Sequence, residues 1–341
     1  MTKIFRHVLC FFVAAILPAT LVLASATEST KPVLKKRVLH KRIIVKSAPA
    51  NFVKRTIIVN GKRRVITERV ASLSEPIDKP SVGDLAGLKH TQDRLALQSN
   101  AAFIVDQASS EVLFEKNSGI SLPIASITKL MTSLVVVESN PNMNEIIEIT
   151  TDDLDKEKGT SSRLKIGAKL SRADMLHIAL MSSENRAASA LGRNYVGGLP
   201  AFVAAMNAKA AELGMTETHY VDSSGLSSHN VASARDLVKL IDAAYQHPLI
   251  REYSTDSKYI VNPSGHPLQY STTNRLVANP SWDIGLQKTG YIAEAGRCLV
   301  MRAMIEGRAI VMVFLDSKGK YSRLADAGRI RKWLETAKPQ A

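Results

Sequence analysis

The sequence predicts an α+β domain in which helices flank one antiparallel sheet and a helical lobe is inserted between its strands. Three observations carry this expectation: strand-like apolar runs near residues 101–114 and 284–315, mostly helical spacing between them, and a closing helical segment after the last run. With 341 residues, 45% hydrophobic and 22% charged, the chain is long enough to bury a substantial core.

Residues 1–26 read as an export signal. Lys3, Arg6 and His7 precede an apolar run from Val8 to Leu23, and Ala24-Ser25-Ala26 offers small residues for cleavage. A retained membrane anchor is the alternative, because the run is near the lower limit for a bilayer span. Cleavage and export predict a soluble periplasmic protein. Cys10 would leave with the signal, so Cys298 stays unpaired and is expected as a buried thiol.

Residues 27–90 read as a basic arm or linker with four prolines and no helical apolar period. Residues 27–80 hold fourteen Lys or Arg against four Asp or Glu, a net +10 of the chain's +14. In a cytosolic protein such an arm would suggest nucleic acid, but export removes that partner. Anionic envelope polymers, lipid head groups or another wall enzyme fit the charge, with a solvated linker as the alternative. Within the arm, residues 56–67 place Asn60-Gly61 between β-branched runs, the signal for a hairpin.

The globular domain is expected over 91–341. Ala101–Asp106 and Glu111–Phe114 read as strands and Ile127–Val137 as a buried helix, apolar on nearly every side. Helices are expected at Arg172–Met181, Arg186–Tyr195, Pro200–Leu213 and Ala234–Tyr245. Ile284–Thr289, Arg297–Ile305 and Arg308–Leu315 then read as strands, and Tyr321–Thr336 as the closing helix.

Ser126-Ile127-Thr128-Lys129 opens the buried helix, so a hydroxyl and an amine share one face one turn apart. A serine is a poor nucleophile until a base accepts its proton, and a lysine with a depressed pKa can serve. The helix N-terminus also offers N–H groups to a developing oxyanion. Ser-x-x-Lys recurs at Ser162–Lys165, in a polar stretch that opens no apolar helix, so context selects Ser126.

Ser183-Glu184-Asn185 falls between two expected helices, where a short connection can present both outer side chains inward; an ordinary helix cap is the alternative. Ser228-His229-Asn230 repeats the Ser-x-Asn pattern and lowers its specificity. Lys288-Thr289-Gly290 occurs once, at the end of an apolar strand, against a chance expectation on the order of once in ten such chains. A strand ending in Gly lets a substrate backbone lie alongside, with the next N–H, from Tyr291, pointing into the same pocket. A second ammonium, on Lys288, would lower the Lys129 pKa by like-charge repulsion.

The three elements in this order resemble the superfamily of penicillin-binding proteins and serine β-lactamases, whose triple signature is established. Residues 182–191, Asp222-Ser223-Ser224-Gly225-Leu226 and Gly285–Tyr291 resemble the D-alanyl-D-alanine carboxypeptidase and endopeptidase family, and most of all its soluble endopeptidase branch. The resemblance implies a β-lactamase/transpeptidase-like fold and a serine DD-peptidase. Ser126 would be the acylated nucleophile, Lys129 its proton acceptor and Ser183 the relay to the leaving amine. Asn185 would orient the substrate amide, Lys288, Thr289 and Gly290 would bind the substrate, and the Ser126 and Tyr291 N–H groups would form the oxyanion hole.

Arg323, in the closing helix, resembles an arginine that receives a terminal carboxylate; an exposed surface arginine is the alternative. The resemblance implies peptidoglycan stem peptides as substrates, β-lactams as covalent inhibitors and no cofactor. An endopeptidase cleaving cross-links is the expectation, because the sequence ends soon after the closing helix, without an added domain or tail. A carboxypeptidase is the alternative, and a wall-binding scaffold with a vestigial site the remote one. His177, His219, His229, His247 and His266 show no paired metal-ligand spacing, and no metal is expected.

Overall fold

The computed structural model describes residues 52–59, 62–69 and 79–336. The chain divides into two units, Met1–Leu73 and Ser74–Ala341. In the first, β1 (Phe52–Val59) and β2 (Lys62–Arg69) pair antiparallel with Val59 opposite Lys62. That register leaves two residues for the turn, Asn60 and Gly61, which lie outside the described residues, as do the expected signal and most of the arm.

The second unit begins earlier than residue 91. Ser81 caps α1 (Val82–Leu85), its hydroxyl accepting from Asp84 N at 3.1 Å and donating to Asp316 Oδ2 at 2.7 Å. Val82 N donates to Glu294 O, and Leu88 joins the core. Residues 81–90, expected as the end of the arm, are thus packed onto the domain. Nothing in their short apolar content distinguishes such a strap from linker.

β3 (Ser99–Asp106) and β4 (Val112–Lys116) form the first hairpin. β5 (Leu122–Pro123) leads to α2 (Thr128–Glu138), in which every residue from Thr128 to Val136 is buried. The lobe follows, with the short pair β6 (Ile146–Glu148) and β7 (Lys169–Ser171), then α3 (Arg172–Met181), α4 (Asn185–Arg193) and α5 (Gly198–Glu212). β8 (Val231–Ala232) pairs with β5 before α6 (Ala234–Tyr245) and α7 (Pro248–Thr255).

α3 and α6 start where the sequence expects because Ser171 and Ser233 cap them, accepting from Asp174 N and Asp236 N. The sequence expectation has no helix at α7; Pro248 at its first turn is its start signal. His177 of α3 is buried between the rings of Tyr253 and Tyr259, at 4.1 and 3.7 Å, a core role and not a surface one.

β9 (Lys258–Val261) and β10 (Leu268–Ser271) form a hairpin. β11 (Asp283–Ile292), β12 (Gly296–Ile305) and β13 (Arg308–Ser317) precede α8 (Ser322–Thr336). β12 and β13 are joined by Glu306-Gly307, both at positive φ, a turn whose twist matches that of paired strands.

The main sheet has the order β11-β12-β13-β3-β4, every pair antiparallel, so β13 joins β3 from the far end of the chain. One core lies between the sheet and the lobe around α2 and α6, and a second between the sheet and α8. This is the α+β layout expected, with β11 at an open edge. Cys298 is a free, buried cysteine in β12.

Candidate active site

Ser126 does not open α2 itself. It sits in a 3-10 turn, Ala125–Ile127, that feeds α2, and Ala125 before it has φ +47°. A non-glycine residue in that region costs on the order of 1–3 kcal/mol and persists only when its surroundings hold it. Two glycines do so. A Cβ at Gly225 would lie 2.0 Å from Ala125 O, and one at Gly290 would lie 2.8 Å from Ile124 O and 3.1 Å from Ser126 N. Gly290 therefore makes room for the Ser126 turn as well as for any substrate, and β11 continues past it to Ile292.

Lys129 Nζ is 2.8 Å from Ser126 Oγ, 2.8 Å from Asn185 Oδ1 and 2.6 Å from Ser224 O. The last two atoms can only accept hydrogen bonds. A neutral amine has two N–H bonds and one lone pair, so donating to both acceptors leaves the lone pair facing the Ser126 hydroxyl. Lys129 is fully buried, and burial holds its pKa down to about 7, while Asp222 and Glu184 pull it up. The Lys288 charge expected to depress it is not the main cause; desolvation is.

Lys288 Nζ donates to Ser183 Oγ at 2.9 Å and to Thr289 O at 2.8 Å. Burial first, then the charges of Lys129 and Arg323, hold its pKa well below that of an ordinary lysine. Ser183 has φ +63° and precedes α4, whose cap is Glu184, with Oε1 accepting from Arg186 N. Ser183 and Asn185 are thus free of the capping role and face the two lysines. Thr289 Oγ1 is 2.6 Å from Thr273 Oγ1, a neighbour that belongs to no sequence motif.

The Asp222–Leu226 loop supplies the Ser224 carbonyl to Lys129. Asp222 Oδ1 accepts from the N–H groups of Ser224 and Gly225, and its Oδ2 from Ser227 N. Asn230, in the second Ser-x-Asn, donates to Thr128 Oγ1 and Asp222 O and accepts from Val221 N and Asp222 N. It ties this loop to the start of α2.

Tyr291 is half exposed, its ring 4.3 Å from the Arg297 guanidinium. Arg323 is buried, not a surface arginine, and its Nε and Nη1 find no partner among the described residues. Its charge reaches Lys288. Burial and neighbouring Arg297 lower its pKa.

A hydroxyl beside a neutral-capable amine, and a second hydroxyl on a second lysine, can run acyl transfer with separate groups for the incoming and departing protons. Residues 88–319 match a family of peptidases described as D-alanyl-D-alanine carboxypeptidase. The chain belongs to that family.

Within it, two relatives named D-alanyl-D-alanine endopeptidase are close. That of Pseudomonas aeruginosa is 46% identical over 258 residues, 75% of this chain and 82% of the relative. That of Escherichia coli is 44% identical over 251 residues, 73% and 81%. Among solved structures, penicillin-binding protein D2 of Listeria monocytogenes in its cefotaxime-bound form superposes with TM-score 0.63 at 27% identity, covering 71% of this chain and 98% of that one. The D-alanyl-D-alanine peptidase chemistry and fold expected from the motifs are those of the family.

Proposed function

We propose that the protein is a penicillin-sensitive serine endopeptidase that hydrolyses D-alanyl cross-links between peptidoglycan stem peptides, acting in the periplasm. One observation carries the reaction: the fully buried Lys129 amine, 2.8 Å from Ser126 Oγ, with both other contacts to pure acceptors. The choice of cross-link over terminal D-alanine rests on the 44–46% identity to relatives named endopeptidases.

Substrate lies along the open edge of β11 beside Lys288, Thr289 and Gly290, with its amide oriented by Asn185. Neutral Lys129 takes the Ser126 proton as Oγ attacks the D-alanyl carbonyl. The N–H groups of Ser126 and Tyr291 hold the oxyanion. Collapse breaks the C–N bond, and Ser183, hydrogen-bonded to Lys288, gives its proton to the departing nitrogen. Ser183 is reprotonated from the lysine pair. Water, deprotonated by Lys129, then attacks the acyl-ester; the C–Oγ bond breaks and the Lys129 ammonium returns the proton to Ser126 Oγ. Arg323 supplies positive charge for a substrate carboxylate. β-Lactams enter the same acylation step and remain on Ser126.

The carboxypeptidase reading keeps one specific support, the description of the family itself. Both readings share every step above and differ in the leaving group. Incubation with purified cross-linked muropeptide dimers decides between them. Conversion to monomers, lost in Ser126→Ala, supports the endopeptidase. Intact dimers beside D-alanine released from a monomeric pentapeptide would establish the carboxypeptidase.

A further inference from the structure

A groove of about 550 Å³ opens from the Ser183 side of the site. Its walls include Ser162, Arg163, Ser183, Asn185, Gln269 and Ser271, contributed by the loop after Thr160, the α3–α4 connection and β10. We propose that this groove seats the departing strand of a cross-linked substrate and that Arg163 selects that strand by binding one of its carboxylates. The inference rests on the endopeptidase reading and adds where the second strand goes.

Ser183 fixes the direction. A group that protonates the leaving nitrogen must lie within hydrogen-bond reach of it. Ser183 is held by Lys288 and rims the groove, so the atoms beyond that nitrogen emerge at the groove's mouth. A single free amino acid would leave most of the space empty, whereas a peptide fills a cavity within the usual ~300–1,000 Å³ of ligand sites.

The walls are tied together by a residue the catalytic motif does not need. Glu184, buried between Ser183 and Asn185, accepts from Ser162 Oγ at 2.7 Å and lies 3.5 Å from the Tyr270 hydroxyl. One carboxylate thus ties together all three walls, and its charge is engaged inside them. The second Ser-x-x-Lys, which opens no helix, contributes Ser162 and Arg163 to this groove.

Arg163 is exposed, and its guanidinium lies 3.9 Å from the Tyr270 ring while Nη1 donates to Gln269 O at 2.7 Å. Among the described residues it pairs with no carboxylate, and the Ser161 and Ser271 hydroxyls have no hydrogen-bond partner. The groove therefore presents a positioned cation and free hydroxyls. A departing strand whose amine belongs to a diamino acid carries free carboxylates, and a planar guanidinium is suited to receive one in bidentate fashion.

Binding to the acylation-incompetent Ser126→Ala protein tests this without turnover. Adding Arg163→Ala is expected to weaken the affinity for a cross-linked muropeptide dimer tenfold or more and that for a monomeric pentapeptide less than twofold. Arg163→Lys should recover part of the loss, and Ser271→Trp, which fills the groove, should reproduce it. Acylation of Arg163→Ala and Ser271→Trp by benzylpenicillin, with Ser126 intact, reports that the folded site survives. Equal weakening for dimer and pentapeptide would place the acyl-donor strand in the groove and overturn the proposal, as would no weakening of either. Failure of the endopeptidase reading is a separate result, since there the parent enzyme itself leaves dimers uncut.

Discussion

Gly225 packs against the backbone of Ala125 so closely that a Cβ would lie 2.0 Å from the Ala125 carbonyl oxygen, and Gly225 itself has φ +81°. Its loop thereby supports the turn carrying Ser126, while Ser224 O in the same loop holds Lys129. Gly225→Ala must displace one backbone or the other. A shift of about 1 Å in a reacting group can cost on the order of 10²-fold. Acylation by a fluorescent penicillin is expected to slow by roughly that factor, with far-ultraviolet circular dichroism retained. An unchanged acylation rate would mean that the loop does not position Ser126.

The state of Lys129 sets a pH dependence. Only the neutral amine can accept the Ser126 proton, and its pKa is held down to about 7 by burial. Acylation should therefore rise with pH through about 7 and level off above it. Asp222 and Glu184 favour the ammonium, so Glu184→Gln should move the inflection to lower pH. Lys129→Ala should lose roughly 10²–10⁴-fold, the range for a general base. Stopped-flow acylation between pH 5 and 9 measures both, and a flat profile would remove Lys129 from the role of base.

Much of the sheet and the lobe was legible in the sequence because α2, α3, α6 and the three long strands are rich in apolar residues or open on capping serines. The strap at 81–90 was not, since it is held by the Ser81–Asp316 hydrogen bond, across more than two hundred residues, and by Asn100 of β3 donating to Asp84. The motifs named the residues around Lys129 but misjudged what perturbs it. Charge is visible in sequence, whereas burial by Ser224, Asn185 and the helix around them is a tertiary property. Glu184 was passed over for the same reason: its partners, Ser162 and Tyr270, come from separate segments.

Asn230 illustrates how a misleading motif becomes structural. It is fully buried and satisfies four groups, two of them backbone N–H groups of Val221 and Asp222. Each buried group left unpaired costs on the order of 1–3 kcal/mol. Asn230→Ala should lower the unfolding free energy by several kcal/mol, read as a drop in Tm. Asn230→Asp keeps the acceptor but turns a carboxylate oxygen toward the Asp222 carbonyl in a buried site, so it should cost at least as much. Full stability of Asn230→Ala with activity lost would instead assign Asn230 to the chemistry.

Arg323 sets stability against function. A buried guanidinium whose Nε and Nη1 find no partner among the described residues costs folding energy, on the order of 1–3 kcal/mol per unsatisfied group. In native proteins such groups are completed by a ligand, an ion or water, or serve catalysis. Arg323→Met fills similar volume without charge, so it should raise Tm, because the desolvated cation is gone. It also removes positive charge from the surroundings of Lys288, so carboxylate-bearing substrates and penicillins should bind less well. Their kcat/KM or acylation efficiency is expected to fall about tenfold or more, since hydrogen bonds to charged groups contribute roughly 1.5–3 kcal/mol. The two effects have opposite signs, which a purely structural arginine cannot produce. A variant that loses Tm while keeping full acylation efficiency would show that Arg323 serves the core of the fold and leaves the substrate carboxylate to another group.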